Sequence, residues 1–419
     1  MKTYMICMAA LSPWMVEGMQ LPSASMLQDL SRGACSDDVR NDKDFDLIIY
    51  GATGFTGKLA TQYMSMGRPG APRWAIGGRN KTELTSLSSE LVAGSSQPGP
   101  GIVVADLEDP ESLQAMTQQT KVVLSYAGPY GKYGGENLIQ AALATCTDYV
   151  DITGELHWKQ EMIGKYEDEA RARGLAFVQS AGFDSLPPDL ISMLVAEEVA
   201  ADGQGPPSEV AVLVTKMNGG RSGGSKASGT WEMTHYGPPG PYDLAPGATK
   251  ASSMPATTLF EEQQNFYFMA LADVPVIHRS MNLRFPGAQI SVSEASSASM
   301  SANSEAWHND PRMKADPEPA NPQPGEGPPE WILQAGSFAA EAKARRSSDG
   351  HTAAIRIEGA GDPGYQWTTR ASVELALGLA RKGPAVAGFP TTSLAVGATE
   401  LRDILESADG GRLTNFTGA

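Results

Sequence analysis

The stretch Asp46-Leu47-Ile48-Ile49-Tyr50-Gly51-Ala52-Thr53-Gly54-Phe55-Thr56-Gly57-Lys58-Leu59 restricts the chain to few folds. An apolar run of strand type breaks into three glycines spaced three apart, and helix-compatible sequence follows from Lys58. A strand that ends on such a turn and feeds a helix aims backbone N–H groups and the helix's positive end at one point, which favours a phosphate or pyrophosphate. A Walker loop would need glycine at position 52 and Ser or Thr at 59. Ala52 and Leu59 stand there, so nucleotide hydrolysis is excluded. What remains is a dinucleotide fingerprint of the G-x-x-G-x-x-G kind, with Gly51, Thr53, Gly54, Phe55, Thr56 and Gly57 as the cofactor-binding candidates.

A chain of 419 residues is long enough for two or three domains. Its formal charge of −16 argues against nucleic acid as a partner, because phosphate-backbone binding needs a basic face. The five histidines have no metal-ligand pairing, so no metal is expected. Three cysteines (Cys7, Cys35, Cys146) show no disulfide framework, which points to a reducing compartment and a cytoplasmic location. No run of 18 apolar residues exists to span a membrane. Lys2 to Met15 makes a poor secretory signal, and residues 1–43 read as a flexible extension.

From Phe45 strands and helices alternate over about 140 residues. Strand-type runs at Arg73–Gly78, Gly101–Asp106, Lys121–Ala127, Asp148–Ile152 and Leu175–Ser180 are separated by helical stretches. That pattern predicts an α/β fold, a Rossmann-type doubly wound parallel sheet, over 44–185. A second, smaller α+β domain is expected over 186–385, with candidate strands at Val210–Val214, near Ile332–Phe338 and at Thr352–Glu358. Residues 311–329 contain seven prolines and read as an exposed loop inside that domain. The last segment, 386–419, carries a helix from Thr399 to Ser407 and is expected to return to the Rossmann domain.

The end of the second strand decides the cofactor type. NAD-binding units place an Asp or Glu there for the ribose 2′-hydroxyl. Here Arg79-Asn80-Lys81 stands instead, a cationic pair suited to a 2′-phosphate, so NADP is preferred over NAD. Asp106, ending the third strand, is placed beside the adenine, with helix entry as its alternative role. Ala127, Gly128 and Pro129 end the fourth strand where the nicotinamide half crosses the sheet. Next to them Tyr130, Lys132 and Tyr133 are candidate proton donors, although no Tyr-x-x-x-Lys dyad is present. Asp151 and Glu155, flanking Thr153-Gly154, are candidates for acid–base work or substrate orientation, with capping as the alternative. Asp184-Ser185 before two prolines is a constrained turn; Ser185 has no G-x-S-x-G elbow.

With those residues in view, the chain resembles the saccharopine dehydrogenase-like oxidoreductases, in the branch of the trans-acting enoyl reductases. The matching pieces are Tyr50–Gly57, Gly78-Arg79, Ala105-Asp106, Tyr126–Tyr130, Tyr149–Glu155 and Gly182–Asp189. Weaker likeness continues to about residue 407, and excludes 1–43 and the proline-rich stretch. The resemblance implies an NAD(P)-dependent oxidoreductase with a smaller domain over a small-molecule or lipid-like substrate, and a homodimer. It does not imply saccharopine as substrate, since nothing in the sequence brings Arg221, Arg279, Arg284 and Arg356 together. Reduction of an unsaturated acyl group is the activity it points to. The alternative is a dinucleotide-binding, non-catalytic protein on a lipid-droplet or membrane surface, or on a protein partner.

Overall fold

The computed structural model describes residues 33–67, 70–93, 99–237, 244, 257–410 and 412–418. Helix α1 (Asp37–Asn41) precedes β1 (Phe45–Tyr50), α2 (Phe55–Ser65), β2 (Trp74–Gly78), α3 (Lys81–Val92), β3 (Gly101–Val104) and α4 (Pro110–Thr117). The chain continues through β4 (Thr120–Ser125), the single turn α5 (Tyr130–Tyr133), α6 (Gly135–Ala144), β5 (Asp148–Asp151), α7 (Leu156–Arg173) and β6 (Phe177–Val178). These strands form one all-parallel sheet in the order β3-β2-β1-β4-β5-β6. Leu47, Ile48 and Ile49 are fully buried, as expected of a strand covered on both faces. Local sequence sets the helix starts: Asn80 accepts from the Thr82 and Glu83 amides, and Asp109 from those of Glu111 and Ser112.

The second half comprises α8 (Leu186–Ala200), β7 (Glu209–Asn218), α9 (Gly223–His235), β8 (Gln264–Asn265), α10 (Ala270–Arg284), β9 (Ser291–Ser297), α11 (Ala298–His308), α12 (Pro311–Ala315) and α13 (Glu330–Ala335). Then come β10 (Ser337–Arg345), β11 (Thr352–Ala360), α14 (Thr368–Lys382), α15 (Thr392–Ala395), α16 (Ala398–Ser407) and β12 (Thr414–Gly418). A mixed sheet runs β12-β11-β10-β7-β9-β8, antiparallel except for β7 beside β9. The apolar α8 is buried almost all round, against β7, β10 and β11 on one side and α10, α15 and α16 on the other. Its residues belong to one buried core that runs from Leu47 to Leu413.

Several expectations change. The second-domain range 186–385 includes α14, yet α14 packs on β1, β4 and α2 of the first sheet. Its buried face, including Val373, Leu375 and Leu379, covers apolar strand surface that the first sheet's own helices leave open. Beyond it the chain divides: Gly388 bridges Ala176 beside β6, whereas β12 pairs with β11 of the second sheet. The strand expected near Ile332–Phe338 is a helix, α13, followed by β10. The sixth strand shrinks to two residues.

The extension expected over 1–43 lies outside the described residues for 1–32. Residues 35–43 are docked. Arg40 pairs with the buried Asp148, Lys43 Nζ reaches Thr145 O at 2.9 Å and Thr147 Oγ1 at 2.7 Å, and Cys35 is disulfide-bonded to Cys146. The absence of a disulfide, inferred from cysteine spacing, is therefore corrected. The partners are 111 residues apart, and only the docking of α1 against the sheet brings them together. Among the described residues no helix is long and apolar enough to cross a membrane, and no cluster of His, Cys, Asp or Glu could hold a metal ion.

Candidate functional site

At the glycine turn the reason for each residue type is steric. Gly51 has φ +78°, and a Cβ there would lie 2.9 Å from the Ala127 amide nitrogen. A Cβ on Gly57 would lie 2.9 Å from Ala52 Cα and closer still to the Gly51 carbonyl oxygen. The first turn of α2 can therefore seat against the β1 exit only with glycine at 57. Gly54 is its N-cap, with no side chain covering the amides of Phe55 and Thr56. This is the cradle a dinucleotide's pyrophosphate requires, and the residues fit it. Thr53 and Thr56 flank the turn half-exposed.

Arg79, exposed at the end of β2, and Asp106, just past β3, lie on either side of the Tyr50 hydroxyl, which donates to Ala105 O at 3.2 Å. Burial and the Asp106 charge raise the Tyr50 pKa, while Arg79 opposes them. Asp106 accepts from the Glu108 amide at 3.1 Å, so it does shape the helix entry. Asn80 is engaged as the cap of α3.

The C-terminal ends of β4 and β5 open onto a cavity of about 1250 Å³. Thr56, Tyr126, Gly128 and Glu155 form the side nearest the glycine turn. Phe183, Met217, Met233, Phe268, Met269 and Trp307 supply a large apolar part of the wall. Helix α9 closes one side: Trp231 lies against Gly131, Ser228 Oγ donates to Glu155 at 2.9 Å, and Glu232 accepts from the His157 amide at 3.0 Å. The proline-rich stretch also contributes. Glu318, Pro319, Ala320 and Pro322 line the cavity, and Gly327 sits against the Phe55 ring. Of the exposed loop expected at 311–329, residues 311–315 form the short helix α12, and the rest is irregular and mostly exposed; it touches the cavity because α9's glycine-rich start admits the backbone of Gln323.

Of the candidate proton donors, the structure brings none into a donor position. Tyr130 is 4% exposed; its hydroxyl donates to Ser125 O at 2.9 Å and its ring stacks on Trp158. Burial holds that hydroxyl well above the ordinary tyrosine pKa. Lys132 and Tyr133 are exposed on α5, the ammonium over its neighbour's ring, and neither lines the cavity. Asp151 is fully buried and accepts from Tyr149 Oη (2.8 Å), the Thr153 amide (3.0 Å) and the Ser180 amide (3.2 Å). It ties β5 to the turn after β6, and burial pushes its carboxyl up to about 7. Phe55 turns edge-on to Tyr365 rather than along the cradle.

Glu155 does reach the cavity, as a clamp. It accepts from the amides of Tyr130 and Gly131 at 2.9 Å each, and so fixes the turn that carries Ala127, Gly128 and the buried Pro129. Burial raises its pKa against these hydrogen bonds. The arginines stay apart: Arg279 binds Glu167 and Phe389 O, Arg284 binds Glu197, Arg356 binds Glu358, and only Arg221 lines the cavity.

Sequence reasoning missed Lys159, Asp273 and Glu294, which sit buried behind the cavity wall, and read Asp184 only as a turn residue. The motif Gly182–Asp189 was visible; the partners of Asp184 are 25 to 110 positions away and carry no local signal.

Residues 47–178 match the family model described as the saccharopine dehydrogenase NADP binding domain. A trans-acting enoyl reductase of Mycobacterium leprae is 37% identical over 163 residues, covering 39% of this chain and 38% of that protein. The saccharopine dehydrogenase-like oxidoreductase of Mus musculus is 30% identical over 204 residues, 46% of each. The chain thus matches less than half the length of these relatives. Apo saccharopine dehydrogenase (L-Glu forming) from Saccharomyces cerevisiae superposes with a TM-score of 0.49 at 12% identity, over 90% of this chain and 100% of that one; this likeness carries no further weight. Residues 47–178 are thus similar to the saccharopine dehydrogenase NADP binding domain, and that part of the chain is similar to trans-acting enoyl reductases and saccharopine dehydrogenase-like oxidoreductases.

Proposed function

We propose that the protein is an NADPH-dependent reductase of an unsaturated acyl or similarly apolar substrate. The observation that carries this reading is the continuity of the glycine cradle with a large cavity, one part of whose wall is built from Phe183, Met217, Met233, Phe268, Met269 and Trp307. Bound NADPH would supply a hydride. The cradle at Gly51, Gly54 and Gly57 holds the pyrophosphate, and Arg79 favours a 2′-phosphate. Glu155 keeps the Ala127–Tyr130 turn in place beside the cavity, and the apolar part of the wall offers a surface for the carbon chain of the substrate. Among the described residues the cavity wall holds Arg221 and Lys226 but no arginine cluster of the kind a substrate with several carboxylates would want.

The test is a titration of the protein against NADPH by fluorescence, followed by NADPH oxidation with a panel of enoyl thioesters. Binding with turnover is expected. Binding without turnover across the panel would move the reading to a non-catalytic dinucleotide-binding protein on a lipid surface or partner, and no binding would end both.

A further inference from the structure

Behind the cavity wall lies a group of ionisable side chains for which the cofactor site has no use. Asp184 is part of the wall. Asp273 on α10 and Glu294 on β9 are 2% and 3% exposed, and Asp273 Oδ1 and Glu294 Oε2 have no hydrogen-bond partner among the described residues. Asp273 lies against Glu294 and Ser185 and within the field of Asp184. One cation faces them: Lys159 on α7, whose Nζ donates to Ser180 Oγ at 2.9 Å and whose charge is felt by Asp184 and Asp273. Asp151 and Glu232 draw on the same ammonium, and the charges of the cluster also reach the Tyr267 hydroxyl, which donates to Met269 Sδ at 2.9 Å.

The charges do not balance. Asp273 and Glu294 are buried and share the one ammonium with the half-buried Asp184 and with Asp151 and Glu232, so ionising the whole group would leave buried anions uncompensated, each at a cost of several kcal/mol. A metal ion could neutralise them, but no metal-holding group of side chains exists among the described residues. The remaining neutralising species is the proton. Burial pushes Asp184 up to about 6 and holds Asp273 and Glu294 well above the carboxylate range, their mutual repulsion adding to it; burial brings Lys159 down to about 8.

We propose that Asp184 is the acid that protonates the reduced substrate in the cavity, and that the Asp273–Glu294 pair behind it stores the proton that recharges it. This rests on the reductase reading. Hydride addition at the β-carbon of an enoyl thioester, with reduced nicotinamide as the two-electron donor, moves the alkene electron pair toward the α-carbon and thioester oxygen as an enolate. The Asp184 O–H bond breaks, a C–H bond forms at the α-carbon, and the carboxylate left behind takes a proton from the Asp273–Glu294 pair. Solvent refills that pair. Lys159 is a positioning residue whose charge stabilises the Asp184 carboxylate formed when the proton leaves, until the pair recharges it.

Infrared difference spectra of the wild type against Glu294→Gln and Asp273→Asn, at neutral pH in H2O and D2O, test the store without turnover. A carboxylic-acid C=O band that shifts in D2O and is lost in a variant is expected; its absence in the wild type would overturn the store. Kinetics test delivery. Asp184→Asn should lower kcat about 100-fold with NADPH affinity kept. Glu294→Gln, buried away from the cavity, should move the pH profile of kcat. An unchanged kcat in the first and an unchanged profile in the second would overturn delivery through Asp184. Should Asp184→Asn fail to fold, the Glu294→Gln profile decides. If the wild type oxidises NADPH with no acyl thioester, the reductase reading fails, while the infrared band still decides the store.

Discussion

The first turn of α2 rests on the Gly51 carbonyl so closely that Gly57 has no room for a Cβ. The contact is backbone against backbone, so no rotamer can relieve it. Gly57→Ala should displace the start of α2, cost about 1–3 kcal/mol of stability, and weaken NADPH binding at least tenfold. Urea unfolding and fluorescence titration measure the two effects. Gly54→Ala, where the nearest atom is the Gly51 oxygen at 3.4 Å, should be the milder change.

Arg79 is exposed just past the end of β2, the position from which dinucleotide-binding sheets reach the adenosine ribose, and no ion pair is seen for it among the described residues. A guanidinium on a 2′-phosphate is worth about 1.5–3 kcal/mol. Arg79→Asp should therefore raise the KM for NADPH by roughly 10- to 100-fold while leaving that for NADH nearly unchanged. An unaltered ratio of the two constants would refute the 2′-phosphate role.

Glu155 offers its oxygens to two amides and the Ser228 hydroxyl. Glu155→Gln replaces one acceptor by an NH2 facing an N–H donor, which costs about 1–3 kcal/mol and loosens the turn at Gly128. NADPH affinity should fall with it. Tyr133→Phe and Lys132→Met, on the exposed side of α5, should leave both binding and turnover as in the wild type.

Asp151 makes stability depend on pH. Its folded carboxyl titrates at about 7, well above its value in the unfolded chain, so between roughly pH 4 and 7 the unfolded state has released a proton that the folded state keeps. Stability from this group is thus lost as pH rises through that window, by an amount of order 2–4 kcal/mol. Asp151→Asn resembles the protonated form and should flatten the fall. Urea midpoints of both proteins across the window test the sign; a difference between them that does not shrink or reverse as pH rises would contradict it.

The Cys35–Cys146 bond closes a long loop, with a separation of 111 residues. Its loss removes a constraint on the unfolded chain worth about 2–4 kcal/mol. Cys35→Ser, or the wild type under reductant, should unfold at lower urea. The two should coincide, because Cys7 lies outside the bond. Arg40 and Lys43 still hold the segment, so the first sheet should stay folded.

The parallel sheet was legible because each of its signals is local. Leu47–Tyr50 is apolar enough for a doubly covered strand, Asp109-Pro110-Glu111 opens a helix, and the glycine spacing encodes a turn within seven residues. The second sheet was legible only in pieces. Its strands pair across more than 100 positions, as β7 does with β10, and α13 reads as apolar run before it reads as helix. Tyr130 and Asp151 looked like chemistry because a tyrosine and an aspartate at strand ends can be either donors or struts. Burial decides between the two, and burial is a property of neighbours.

By itself, then, the sequence determined the dinucleotide cradle and the sheet that carries it, since a glycine's lack of a side chain acts on atoms a few residues away. Tertiary structure alone decided which acids matter. Asp184 stands half-buried in the cavity wall, and only the fold packs Asp273, Glu294 and Lys159 from three other parts of the chain behind it, where burial turns ordinary charges into groups that hold protons.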